Sequence, residues 1–444
     1  MAALPITEAS AADETIGRSA TRKATLHLIP LIALGYGAAY MDRVNISFAS
    51  LQMNRDLHFS ATAYGFGAGL FFLSYAACEI PSNLLLYRFG ARRWLARIMF
   101  TWGLIAMAML FVRTPWQFYS ARFFLGMTEA GFFPGIIFYL TQWFPPEQFA
   151  RTISRFYISL PLSSVFMGLI AGALMNLNGR LGLAGWQWLF LIEGIPPVLL
   201  SIAFFTLLPD TPAHATWLSP AERDWIVRRV SEVPTGTVHR SHNVTRAILD
   251  PRVWQLGLFM LFMLGSSYAY TFSAPDLIQR STHLSTTAVG FIISGLSLIG
   301  AVGMLVNAAH SDRALELHPN INSRYAHIIP FCLLMAGGFL ACGLSIKPIV
   351  VVSALGLLIV GYNSMQGPLW SLPGNFLQGR SAAAGIATVN MIAILGGFLG
   401  PYWIGFAKDL TGDYQHGMLL MSIPMLAAAG IMFYLSRQRR DATE

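Results

Sequence analysis

Charge is scarce in this chain. Of its 444 residues only 11% are Asp, Glu, Lys or Arg, while 55% are hydrophobic. A soluble protein carries about a quarter charged residues, so this composition excludes an ordinary soluble domain. Cysteine is scarcer still. Cys78, Cys332 and Cys342 all fall in apolar runs, at no metal-ligand spacing, and read as buried free thiols. No HExxH and no GxSxG occurs, and the histidines lie in loops and tails apart from His27 and His327 at the starts of apolar runs. A membrane enzyme would need such a nucleophile-and-base or metal set. No polar stretch is long enough to fold as a signalling domain, which argues against a membrane sensor. The first residues, "MAALPITEASAADETIGRSATRK", lack an apolar core and a small-residue cleavage signal. They read as a retained tail, not a signal peptide.

Long apolar runs are what the chain does have. They fall at about 26–48, 61–87, 95–112, 116–142, 152–176, 186–208, 253–274, 286–309, 326–346, 348–372, 382–406 and 416–435. About 20 residues of helix cross the ~30 Å hydrocarbon layer, so these are twelve candidate spans. Gly and Pro inside them are tolerated in membrane helices. With the first tail inside, 21 of the 29 Lys and Arg face the cytoplasm and 6 face out. Only Arg43 and Arg122 remain, both within spans. The positive-inside rule thus predicts cytoplasmic termini, and it accounts for the net charge of +8 without a nucleic-acid partner. The organisation expected is a cytoplasmic tail (1–25), a six-helix bundle (26–208), a central cytoplasmic loop (209–252), a second six-helix bundle (253–436) and a short tail (437–444). Within the central loop, "LSPAERDWIVRRV" predicts a short amphipathic helix opened by Ser-Pro. Basic tight loops at matching places, "YRFGARRW" after span 2 and "HSDRALE" after span 8, mark an internal repeat.

Two opposite charges stand side by side in span 1, Asp42 and Arg43. Span 4 carries Arg122 and Glu129, seven apart and so on one helix face. A charge at bilayer depth costs at least ~2.5–3.5 kcal/mol on insertion scales. The run boundaries place both arginines about 9 Å below the outer ends of their spans, with Asp42 beside Arg43 and Glu129 one layer deeper. Two guanidiniums offer planar donor forks that suit a carboxylate. Asp42 and Glu129 supply the titratable acids that proton coupling needs. Static ion pairs locking helices together are the alternative, and buried pairs are poor stabilisers for their cost. Tyr75, mid-span in span 2, is placed to hydrogen-bond the anion. Glu79, one turn below it, and Glu193 in "LIEGIPP" are possible secondary acids, read first as structural partners. The second half offers amides and an indole, Asn363, Gln366, Trp370 and Asn390. Its spans hold no Asp, Glu, Lys or Arg except Lys408 at the end of span 11. Such groups bind hydroxyls or a ring, so this half is expected to read the rest of the substrate.

Over nearly its whole length the chain resembles the major facilitator superfamily. The twelve spans, the central loop and the two basic loops carry that resemblance, although Tyr87 stands where an acid is commonest in the first loop motif. "YMDRVNIS", "CEIPSNLLL", "RFFLGMTEAGFFPG", "WQWLFLIEGIPP", "GPLWSLPGNFL" and "AGIATVN" narrow it to the anion:cation symporter branch. Within the branch it is most similar to bacterial carriers of tartrate-type hydroxy acids, sugar acids and aromatic acids. Span 5 lacks the Gly-Pro pair common in antiporters of the superfamily. The resemblance implies an all-α membrane protein of two pseudo-symmetric six-helix bundles. It implies alternating-access, proton-coupled uptake of an organic anion across the bacterial inner membrane, by a monomer with no cofactor. It also implies that Arg43 and Arg122 hold the substrate, that Asp42 and Glu129 take the proton, and that Tyr75, Trp370 and Asn390 line the site. Sugar-acid carriers of the branch place an amide in the middle of span 5, where "SLPLSS" offers Leu160. This favours a shorter hydroxy acid, with an aromatic carboxylate or a sugar acid as alternatives.

Overall fold

The computed structural model describes residues 6–231, 250–317, 322–370, 372 and 379–438. Among them no strand occurs, and twelve helices are long and apolar enough to cross a membrane. Spans 1 to 6 are Asp13–Asp56, Ala61–Phe89, Ala91–Phe111, Pro115–Thr141, Arg155–Met175 and Gly185–Leu207. Spans 7 to 12 are Pro251–Thr282, Thr286–Ala314, Arg324–Leu344, Pro348–Leu369, Thr388–Thr411 and Gln415–Arg437. An even number of spans brings the chain back to the face it started from. That face is called terminal below, and the opposite one far.

Two apolar cores form. One gathers Phe71, Trp102, Phe118, Trp186 and their neighbours from spans 1 to 6. The other gathers Phe259, Cys332, Phe339, Met425 and theirs from spans 7 to 12. Helix starts follow local chemistry. Thr114 and Gln117 make a reciprocal capping box ahead of span 4, with Pro115 in the first turn. Ser60 caps span 2 and Asp250 caps span 7.

Three expectations need correction. Span 1 is one continuous helix from Ile6 to Asp56, through Pro30, well beyond its apolar run at both ends. Most of the presumed tail is therefore helix. It docks on the helix Pro220–Ser231, which the Ser-Pro signal does start. Ser19 and Lys23 donate to Glu222 at 2.7 and 2.8 Å, and Trp225 and Arg228 both donate to Asp13. Asp276 belongs to span 7, whose helix runs to Thr282, so the second half holds a half-buried ion pair, Lys408 to Asp276 at 2.8 Å. Span 4 is not one helix. It stops at Glu129, turns through Gly131 at φ +85°, and restarts at Phe132. A side chain is strained at that φ, and a Cβ there would meet Ser82 Oγ at 2.3 Å.

The halves touch closely near the far face. A Cβ on Gly65 of span 2 would lie 2.3 Å from the carbonyl oxygen of Pro401 in span 11, and one on Gly168 of span 5 would lie 2.5 Å from that of Gly290 in span 8. Small residues at crossings let membrane helices approach backbone to backbone. Two polar latches cross at the same level. Asp409 accepts from the N–H groups of Ala61 and Thr62 at 3.0 and 2.7 Å, and Asn176 donates to Thr287 at 3.1 Å.

Candidate functional site

Helix lengths set the levels of the buried charges. Arg43 lies thirteen residues from the far end of span 1, about 20 Å at 1.5 Å per residue. Glu129 lies fourteen residues from Pro115, about 21 Å, while Arg122 is only about 10 Å in. Arg43 is therefore level with Glu129, not with Arg122, which corrects the expected layering. It donates Nε and Nη2 to the same oxygen, Glu129 Oε1, at 2.8 and 2.5 Å. The Arg43 side chain is 16% exposed and that of Glu129 0%. Glu129 also ends the first helix of span 4, where unsatisfied carbonyls put partial negative charge. Both effects favour a cation at that point. Residues adjacent in a helix point ~100° apart, so Asp42 turns away from Arg43. It accepts from Asn45 at 3.3 Å.

Arg122 is almost fully enclosed, 1% exposed. Its Nη2 donates to the Ala68 carbonyl at 3.3 Å, and its Nε has no partner. Phe71 links the two arginines, with guanidinium carbons 5.5 Å (Arg43) and 4.9 Å (Arg122) from its ring centre. Tyr75 covers Arg43 from span 2 at 5.1 Å. Asp42 lies within electrostatic reach of Arg122, Glu129 and Arg43. Arg43, Arg122, Asp42, Glu129 and Tyr75 thus form one cluster between spans 1, 2 and 4.

A cavity of ≈ 80 Å³ lies between the halves, lined by spans 1, 5, 7, 8 and 10. At about 10–15 Å³ per water it has room for five to eight waters. Asn363 and Gln366 face it, with Leu160 and four tyrosines, Tyr40, Tyr157, Tyr270 and Tyr362. Asn363 donates to its own helix, at Ile359 O, 2.8 Å. Asn390 is elsewhere, donating to Glu79 across the halves at 3.4 Å. Glu193 is buried at 7% exposure with neither oxygen hydrogen-bonded. The side chain of Trp370 lies outside the described residues.

The sequence reading passed over Asn45 and the tyrosines other than Tyr75. Tyr268 of span 7 packs on Phe72 of span 2, ring centres 4.3 Å apart, and interacts electrostatically with Arg43. It carries the second half into the arginine cluster. Tyr36 and Tyr157, 5.8 Å apart, connect that cluster to the cavity. The signal was present in "SSYAYTFS", two tyrosines among hydroxyls mid-span, but an aromatic in a membrane helix reads first as packing.

The family model described as Major Facilitator Superfamily matches residues 32–401. A protein of Agrobacterium vitis named "Putative tartrate transporter" is 42% identical over 423 residues, 95% of this chain and 92% of its own. A "Quinolone resistance transporter" of Acinetobacter baumannii is 39% identical, over 91% of this chain and 92% of its own. Among solved structures, a bacterial homologue of the human lysosomal transporter Spinster, inward-facing and occupied, superposes with a TM-score of 0.73 at 16% identity, covering 92% and 96%. The xylose transporter XylE of E. coli gives 0.70 at 13% identity, covering 93% and 98%.

Proposed function

The chain belongs to the Major Facilitator Superfamily, and from that premise we propose that it is a proton-coupled symporter. It takes up a small organic carboxylate, tartrate or a related hydroxy acid, across the bacterial cytoplasmic membrane. One observation carries this reading: two arginines, Arg43 half-buried and Arg122 enclosed, share a cluster with two acids, and Arg122 has an unpartnered donor nitrogen. A buried donor left unmade costs about 1–3 kcal/mol, more when charged, so the site favours an arriving acceptor.

Glu129 holds Arg43. A substrate carboxylate competes for that guanidinium. Glu129, displaced and without solvent, then takes a proton, because a lone buried carboxylate is costly. Anion and proton enter together, and the loaded carrier moves less net charge. Tyr75 and Tyr268 flank the arginine, and Asn363 and Gln366 face the substrate's hydroxyls from the second half. The terminal face, carrying the basic loops, is cytoplasmic. The two halves rock about the cluster, and the contacts of Asp409 and Gly168 seal the far, periplasmic side in this state.

The small cavity and Leu160 at its wall support a short acid over a long sugar acid. Its four tyrosines support a second reading, an aromatic carboxylate. Thermal-shift screening of the purified protein against tartrate, sugar acids and aromatic carboxylates separates them, since a ligand of the folded state raises stability. Stabilisation by tartrate, lost in Arg122→Ala, is the expected result. Stabilisation by an aromatic acid alone selects the second reading, and no response to any carboxylate contradicts both.

A further inference from the structure

Span 1 has a second polar face, which meets the substrate cluster only at Asp42. Asp42, Asn45, Gln52 and Asp56 recur at i, i+3, i+10 and i+14, one stripe, with Ala49 at i+7. At 100° per residue the stripe lies roughly 130° round the helix from Tyr40, Val44, Ser47 and Phe48, which line the cavity. It packs on span 6. There Trp186 donates to Asp56 at 3.0 Å, and a Cβ on Gly185 would meet Gln52 Oε1 at 2.6 Å. Midway along the seam stands Glu193, with Asn45 and Asp42 as its polar neighbours.

The acceptors on this seam outnumber the donors. Asn45 Nδ2 serves Asp42 Oδ1, but Asp42 Oδ2, Asn45 Oδ1 and both oxygens of Glu193 are buried without a partner. Asp42, Asn45 and Glu193 are 2%, 1% and 7% exposed. A carboxylate buried without a donor or a cation is far costlier than the neutral acid, which also supplies the missing donor. The charged neighbour acting on Glu193 is another acid, Asp42. Span 3 packs on the next residue, Gly194, through Gly103 and Met107, neither of which titrates. Depth orders the groups. Measured from the far face, Glu193 is about 12 Å in, Asn45 about 16 Å and Asp42 about 21 Å.

We propose that Glu193 is a third proton-binding carboxyl, which stores a proton on the span 1/span 6 seam and delivers it to Asp42 by a route separate from the substrate cavity. In the step, the O–H bond of Glu193 breaks and one forms at Asp42 Oδ2. Glu193 is re-protonated from water at the far face, towards which the stripe leads. Asn45 orients Asp42 through its amide and, at rest, accepts from the Glu193 carboxyl. Its role is positioning. The inference rests on the proton-coupled reading above, and its failure is distinguishable from failure of that reading.

The test uses purified full-length carrier in liposomes, with tartrate as the probe, measuring uphill uptake under an imposed pH gradient and equilibrium exchange without one. Wild type accumulates tartrate, and wild type that never does so overturns the symport reading itself. In Glu193→Gln, exchange and binding affinity stay within about twofold of wild type while gradient-driven uptake falls at least tenfold. Glu193→Asp restores a substantial part of it, which a merely structural role would not predict. Asn45→Leu, which removes the amide from the other side of the seam, reproduces the loss and serves in place of Glu193→Gln should that variant misfold. Gradient-driven uptake by Glu193→Gln or Asn45→Leu at the wild-type rate and pH profile overturns the proposal. So does an equal loss of exchange and uptake in every seam variant.

Discussion

Glu129→Gln isolates the competition on which coupling rests. Arg43 gives two charge-assisted hydrogen bonds to Glu129 Oε1, at 2.8 and 2.5 Å. A substrate carboxylate must break them before it gains the same donors. Hydrogen bonds to charged groups are worth about 1.5–3 kcal/mol and neutral ones about 1 kcal/mol. Glutamine keeps the shape and one acceptor but gives up the charge, so the grip on Arg43 weakens by about 1 kcal/mol. Affinity for the anion should rise about fivefold at alkaline pH. The pH dependence should change as well. If the displaced acid takes one proton as the anion binds, wild-type affinity weakens about tenfold per pH unit wherever Glu129 is ionised in the empty carrier. Glu129→Gln removes that slope. Calorimetric titration with tartrate at three pH values reads both quantities. The variant should still exchange labelled for unlabelled substrate and should lose uphill uptake. Binding more than tenfold weaker than wild type, or a pH slope equal to wild type's, would refute the reasoning.

Arg122→Lys should lose affinity nearly as completely as Arg122→Ala, because an ammonium lacks the planar fork and the 1% exposed site has no slack; near-normal calorimetric affinity would remove Arg122 from the site. Asp409→Ala removes the cap that Asp409 places on the start of span 2 across the halves, at about 1–2 kcal/mol. A cysteine at Ser273, 3% exposed behind that seal, should then react with an impermeant maleimide about 5- to 30-fold faster. Glu222 lies outside the spans. Burial pushes its carboxyl up, but hydrogen bonds from Lys23, Ser19 and the Ser219 N–H, with the Lys23 charge, outweigh this and hold it at about 2, against an ordinary 4.5. A depressed carboxyl stabilises above its ordinary value, so the docking of helix Pro220–Ser231 is intact above pH 4.5 and is lost as pH falls towards 2. Glu222→Gln should loosen it at neutral pH, seen as faster hydrogen exchange in that helix.

The spans were legible because hydrocarbon thickness imposes long apolar runs, and the buried charges stood out against them. Their partners were not legible. Apolar runs report where hydrocarbon ends, not where a helix ends, so the extra turns of span 1 to Asp56 hid the true level of Arg43. The same cause left Asp276 outside span 7, so Lys408 stood as the one charged residue of the second half's spans. The break after Glu129 was written in "EAGFFPG", but a glycine followed by Pro-Gly is common enough in membrane helices to pass as a tolerated kink. Which amide meets which acid, as Asn390 meets Glu79, depends on how the two halves are rotated against each other. No periodicity within one helix encodes that rotation.

The central claim is that anion and proton cross together, and liposomes carrying a pH-sensitive dye inside report it directly. With equal pH on both sides and an inward tartrate gradient, the account predicts that the lumen acidifies as labelled tartrate enters. The acidification should be absent in the double variant Asp42→Asn, Glu129→Gln, although that variant still exchanges tartrate. Tartrate entry in the wild type with no change in lumenal pH, or full acidification in the double variant, would contradict the account.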